Sequence, residues 1–238
     1  MEGLIPHILV AALAAYLLGN LNGAVTVSSL LDRDDVRTHG SGNAGMTNYM
    51  RSYGVPKTGL VILMDLGKSL LASYLGALLL EPYGYFMEGA MLAGVLVSVG
   101  HDYPVVLGFR GGKGILCGLG VAFVADWRIA LLVLGVFGLT VLLTRYVSLG
   151  SCWTGLSFPF VSGFVYQDTL ITLMAVLIGG LILWKHRGNI VRLVKGTESK
   201  FALHKKAPSE TVEEALDQRG ESAPQAEEET EVPDETAE

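Results

Sequence analysis

Seven apolar runs, near residues 4–30, 57–80, 86–100, 114–125, 128–144, 147–166 and 169–186, are separated by polar segments, several of them rich in glycine. A hydrocarbon core takes about 20 apolar residues per helix. Each run is therefore read as a spanning helix, and the chain as an all-α integral membrane protein with seven transmembrane helices. The third and fourth runs are short, and "HDYPVVLGFRGGKG" between them is mostly uncharged and glycine-rich. This linker is expected to dip into the protein at membrane depth, where irregular backbone is tolerated only against protein or a watery cavity.

The composition agrees: half of the 238 residues are hydrophobic and 30 are glycine, too apolar a balance for an ordinary soluble domain. The formal net charge of −6 hides two unlike parts. Residues 1–206 carry sixteen bases and eleven acids, whereas residues 207–238 carry twelve acids and only Arg219 among the bases. With almost no large apolar residue, the tail cannot bury enough surface to offset ordering. The chain is divided accordingly into a membrane domain, 1–204, and an acidic, disordered cytoplasmic tail, 205–238.

Basic residues set the orientation, because cytoplasmic loops hold the excess of Lys and Arg. Seven spans place Arg33, Arg37, Arg51, Lys57, Arg110, Lys113, Arg145 and the cluster from Lys185 to Lys206 on one side, and only Arg128 on the other. The N-terminus is thus expected outside and the C-terminus inside, with the glycine-rich segments facing the cytoplasm. The N-terminal stretch has an acid and no basic region, which argues against a cleaved signal peptide. Cys117 and Cys152 lie in apolar stretches without C-x-x-C spacing and are read as buried, inert thiols. Gly94, Gly120 and Gly135 are read as sites of close helix packing.

Candidate chemistry begins at "HGSGNAGMTNYMR", residues 39–51, which contains G-x-G-x-x-G at Gly40, Gly42 and Gly45. A dinucleotide fold needs that motif between a strand and a helix, with an acid about 20 residues on. Asp65 has the spacing but lies inside an apolar span, so the match is chance. "LGFRGGKGI" fails as a Walker A loop, having Leu107 where a glycine is required and Gly114 where Ser or Thr is required. The physics beneath both motifs survives: glycines let successive N–H groups approach an anion. Ser41 and Asn43 add donors, Arg51 a planar fork and Lys113 a point charge. His186 and Asn189 are three apart at the end of the last span, on one helix face.

Four segments in this order, "GSGNAGMTN", "VGHDYPVVLGFRGGKG", "TRYVSL" and "WKHRGNIVRLVKGTE", resemble the bacterial membrane glycerol-3-phosphate acyltransferases that use acyl-phosphate as donor. The resemblance covers about residues 10–200. It implies a catalytic group of Ser41, Lys113, His186 and Asn189. It also implies substrate phosphate held by Gly40, Gly42, Asn43, Arg51, Gly111, Gly112 and Lys113, with His101, Arg145 and Ser148 in support. The family usually has Ser and Pro or Thr where this chain has Asn20 and Asn22, Thr where it has Cys117, and Glu where it has Gly188.

The resemblance further implies acyl transfer to glycerol 3-phosphate at the cytoplasmic face of a bacterial inner membrane, fed by an upstream enzyme that makes acyl-phosphate. It implies the acceptor's own phosphate as the proton acceptor. No cofactor and no nucleic acid is expected, and no cluster of metal ligands is visible. The His-x4-Asp signature of thioester-dependent acyltransferases fails at all five histidines. The alternatives are a small transporter of an anionic solute and a divergent acyltransferase with another acceptor. Asp65 and Lys68, three apart at membrane depth, are read as a self-neutralising pair. Arg192, Lys195 and Lys200 are read as anchors at the membrane surface.

Overall fold

The computed structural model describes residues 3–201, and the acidic tail lies outside them. The described residues form helices and no strand. In chain order these are α1 (Leu4–Gly19), α2 (Gly23–Val27), α3 (Met46–Tyr53), α4 (Thr58–Leu80), α5 (Phe86–Asp102), α6 (Ile115–Ala125), α7 (Trp127–Thr144), α8 (Val147–Tyr166), α9 (Thr169–Lys185) and α10 (Arg187–Val194). Three helices are long and apolar enough to cross a membrane, and counting each of two bent pairs as one span brings the number to five. Leu142, Leu143, Phe160 and Phe164 are exposed on α7 and α8, as on helices that meet lipid rather than water.

Two expected spans differ in form. The run 4–30 is not one helix: the chain bends by 43° between Leu4–Gly19 and Gly23–Asp32. The fourth run forms only the 11 residues of α6, about 16 Å at 1.5 Å per residue, too short to cross a bilayer alone. Preceding it, residues 103–114 form irregular backbone with one 3-10 turn at Val105–Leu107, as the glycine-rich composition predicts.

Glycines bring the helices together. A Cβ at Gly19 or Gly100 would strike the facing backbone of α5 or α1, and one at Gly155 or Gly179 would strike the partner helix across the α8–α9 contact. Gly94 faces Val121 and Gly120 faces Ser69, as expected of packing positions. Gly135 has open space around it, so its role in packing is not borne out.

The main core runs from Ala15 and Val97 through Val121 and Ile129 to Phe158 and Ile178. A smaller apolar cluster, Val27, Val36, Ala44, Tyr49 and Val61, lies beneath the 39–45 loop and gives it a floor. Cys117 and Cys152 are buried free thiols, as expected.

Candidate active site

The 39–45 segment is a loop because two of its glycines take the left-handed conformation that other residues adopt only at a cost: Gly40 and Gly42 have φ of 55° and 69°. Asn48, one turn into α3, ties the loop together. Its amide nitrogen donates to the carbonyls of Val36 (2.9 Å) and His39 (3.0 Å), and its oxygen accepts from the Ser41 N–H (2.9 Å) and Ser41 Oγ (3.2 Å). Ser41 is thereby held at the surface, while Ala44 turns inward.

The second loop lies against the first. The Gly112 N–H donates to the carbonyl of His101 (3.0 Å), and Gly111 folds over Pro104. A Cβ on Gly112 would collide with Nε2 of His101 and stand 2.9 Å from the carbonyl of Ala44. Glycine is thus required at 112 by close approach. His101 is buried beneath the loop rather than lining its open side.

Lys113 follows directly and reaches the third segment, donating to Oδ1 of Asn189 (2.5 Å). The Asn189 amide in turn donates to Oε1 of Glu198 (2.7 Å), whose other oxygen accepts from Arg192 Nε (2.7 Å). Burial pushes the Lys113 ammonium down to about 8, and the positive charge of Arg192 adds to this. At Glu198 burial opposes the charged form, but Asn189, Ser148 and Arg192 outweigh it and hold the carboxyl below its usual range.

His186 and Asn189 do not share one helix face, because the chain bends by 57° between α9 and α10 and His186 stands at the bend. Its Nδ1 lies 2.8 Å from the carbonyl of Ile182. A carbonyl only accepts, so Nδ1 carries a proton and Nε2 of the neutral ring keeps its lone pair. Arg51 is exposed and its Nη2 donates weakly to the Ser199 carbonyl (3.4 Å). Arg145 caps α7 with φ of 62°, and its carbonyl receives the Phe201 N–H (2.7 Å). The Ser148 hydroxyl is buried beside Glu198, whose charged form it favours.

The contacts close a ring. The first loop touches the second through Ala44 and Gly112, the second touches α10 through Lys113 and Asn189, and the segment after α10 returns to α3 through Arg51 and Ser199.

That order of segments matches the glycerol-3-phosphate acyltransferase family model over residues 9–196. The chain belongs to this family. It is an acyltransferase. The glycerol-3-phosphate acyltransferase of Finegoldia magna is 41% identical over 198 residues, covering 82% of this chain and 96% of that protein. That of Thermoanaerobacter pseudethanolicus is 36% identical over 195 residues, with the same coverage. Among solved structures, the glycerol 3-phosphate form of PlsY (YgiH), an integral membrane glycerol 3-phosphate acyltransferase, is similar with a TM-score of 0.76. It is 33% identical and covers 82% of this chain and 96% of that one.

Three residues escaped the reading of the sequence. Asn48 sits inside "MTNYMR" and Glu198 inside "KGTE", and neither spacing announces a partner. Asp102 follows His101 and is fully buried, and neither of its carboxylate oxygens has a hydrogen-bond partner among the described residues. Its backbone carbonyl accepts from Lys185 (2.9 Å). Arg192, expected as a surface anchor, also pairs with Glu198, because the turn after α10 brings the carboxylate back beside it.

Proposed function

We propose that the protein transfers an acyl group from acyl-phosphate to the 1-hydroxyl of glycerol 3-phosphate, giving lysophosphatidic acid and inorganic phosphate, the first step of phospholipid synthesis. The observation that carries this reading is Lys113, a cation within a glycine loop, fixed on Asn189 beside a second glycine loop that presents Ser41. Two glycine loops with one ammonium suit two phosphate-bearing substrates.

The acceptor oxygen attacks the acyl carbonyl carbon, the carbon–oxygen bond to phosphate breaks, and phosphate leaves with the electron pair. The hydroxyl proton goes to the phosphate of glycerol 3-phosphate. Ser41, Arg51, Lys113 and the loop N–H groups bind phosphate oxygens, and Nε2 of His186 accepts the hydrogen bond of the acceptor hydroxyl and aims it. An acyl-phosphate is a mixed anhydride with a good leaving group, so orientation and charge neutralisation lower most of the barrier.

In this reading the helices make seven passes of a bacterial inner membrane, with the N-terminus outside, the C-terminus in the cytoplasm and both loops on the cytoplasmic face. An acyltransferase that produces acyl-phosphate acts upstream. The test supplies purified protein with labelled glycerol 3-phosphate and, in parallel, acyl-phosphate, acyl-carrier-protein thioester and acyl-CoA. Lysophosphatidate and inorganic phosphate in equal amounts from acyl-phosphate alone are expected. Product from a thioester donor would overturn the donor assignment.

A further inference from the structure

Asp65 and Lys68 lie one turn apart on α4, both buried, with Lys68 Nζ 2.9 Å from Oδ1 of Asp65. A pair that served only to cancel its own charge would need no further partners. Lys68 has three: it donates to the carbonyls of Gly19 (3.1 Å) and Leu21 (2.5 Å) and to Nδ1 of His101 (2.8 Å). Oδ1 of Asp65 also accepts from the Gly23 N–H (3.0 Å). These are the carbonyls and the N–H that the break between α1 and α2 strips of helical partners, and they must be satisfied inside an apolar bundle.

From this seat two arms reach the glycine loops. Nδ1 of His101 faces two groups, Lys68 Nζ at 2.8 Å and Oδ1 of Asp65 at 3.5 Å; the ammonium is the nearer and has no lone pair, so Nδ1 accepts from it and the ring proton sits on Nε2, the atom that faces Gly112. The tautomer and tilt of the ring under the second loop are therefore set by the Asp65–Lys68 pair. The other arm starts in the break itself. Asn22 accepts from the Val25 N–H (3.0 Å), and its amide nitrogen donates to the carbonyl of Ala44 (2.9 Å), in the first loop. Ala44 and Gly112 are also the point at which the two loops touch.

We infer that Asp65 and Lys68 are positioning residues for the acyl transfer, acting through His101 on the Gly111–Lys113 loop and through Asn22 on the Gly40–Gly45 loop, so that one buried ion pair sets the distance between the two phosphate cradles. The inference rests on the reading of these loops as phosphate sites. It differs from simple charge pairing in a measurable way. A pair that only neutralises itself is replaced by apolar residues of like volume at little cost, while removal of one partner strands a charge.

The variants are Lys68→Met, Asp65→Leu with Lys68→Met together, and His101→Asn, which keeps an acceptor for Lys68 but withdraws the ring from Gly112. Each is made in the full chain and again with Arg110→Cys carrying a nitroxide, since Arg110 is exposed beside the loop and both native thiols are buried. Acceptor KM is expected to rise about tenfold in the double variant and in His101→Asn, the scale of one lost charge-assisted contact. Turnover should fall less, and the label should become more mobile.

Should the double variant fail to fold, His101→Asn still decides the question, because it strands no charge. A wild-type KM with a wild-type spectrum overturns the inference, as does a raised KM with an unaltered spectrum. A mobile label with unchanged KM upholds the coupling and overturns the phosphate reading instead.

Discussion

Lys113 and Asn189 are 76 residues apart in the chain and joined by a 2.5 Å hydrogen bond from ammonium to amide oxygen. The bond makes the glycine loop and α10 one unit, and it spends only one of the three protons of the ammonium. The other two remain for substrate oxygens, as befits a phosphate site whose cation is already oriented.

Replacing Lys113 by Met should therefore raise KM for acceptor or donor by about 10- to 100-fold, as the loss of a charge-assisted contact predicts. Turnover at saturation should change less. Unchanged constants in steady-state assays would reduce Lys113 to a determinant of topology.

The same residue gives a pH dependence. Burial and Arg192 bring its ammonium down to about 8, so in the free enzyme it is charged below that pH and neutral above it. Anion binding needs the charged form, so kcat/KM should fall as pH rises through about 8. Bound phosphate favours the ammonium, and kcat should hold to higher pH. Lys113→Arg, which stays charged, should remove the alkaline fall, and a flat kcat/KM profile for the native protein from about pH 7 to 9.5 would contradict the assignment.

Gly112→Ala inserts a methyl between the His101 ring and the Ala44 carbonyl, neither of which can withdraw without parting the loops. Activity should drop on the order of 10²-fold, as expected when reacting groups are displaced by about 1 Å. Gly138→Ala in α7, where nothing lies within 4 Å, serves as the control and should keep activity within about twofold. Equal effects of the two would mean that the loop contact is irrelevant to catalysis.

Much of this architecture is legible along the chain, because a membrane helix announces itself by length and apolarity alone. The break at residues 20–22 does not. Its cause is a set of partners, Asp65, Lys68 and His101, that lie 42 or more residues away and become neighbours only when α1, α4 and α5 pack. The glycine loops are readable because conformation and anion binding both demand glycine. Asn48 and Glu198 are not, since an amide or carboxylate beside a motif reads as solvated surface until the fold brings its partners. The bend at His186 is hidden for a further reason: "WKHRGN" contains no proline, and nothing in the run of bases after it marks Arg192 as the partner of Glu198.

Glu198 holds Asn189 and Arg192 at once, and its two oxygens can be tested apart. Glu198→Gln keeps an oxygen for Asn189 and weakens only the pairing with Arg192, so the acceptor KM should stay within about threefold. Glu198→Leu frees Asn189 as well and should raise it about tenfold or more. Equal values for both substitutions would show that Asn189 does not depend on the carboxylate.

The decisive question is whether His186 aims the acceptor hydroxyl or removes its proton. Its Nδ1 is committed to the Ile182 carbonyl, so among the described residues no carboxylate is hydrogen-bonded to the ring as the partner of a general base would be. A general base here would contribute about 10² to 10⁴ in rate. A group that only accepts a hydrogen bond contributes to acceptor binding and orientation. His186→Gln keeps an oxygen that can accept from the hydroxyl and cannot titrate. It should raise the acceptor KM by about tenfold and lower kcat by less. Between pH 5 and 8 the kcat profile should keep one acidic limb in both proteins, following the second ionisation of the acceptor phosphate at about pH 6, because that dianion takes the proton. Turnover abolished at saturating glycerol 3-phosphate, with equilibrium binding of the acceptor retained, would instead make His186 the base.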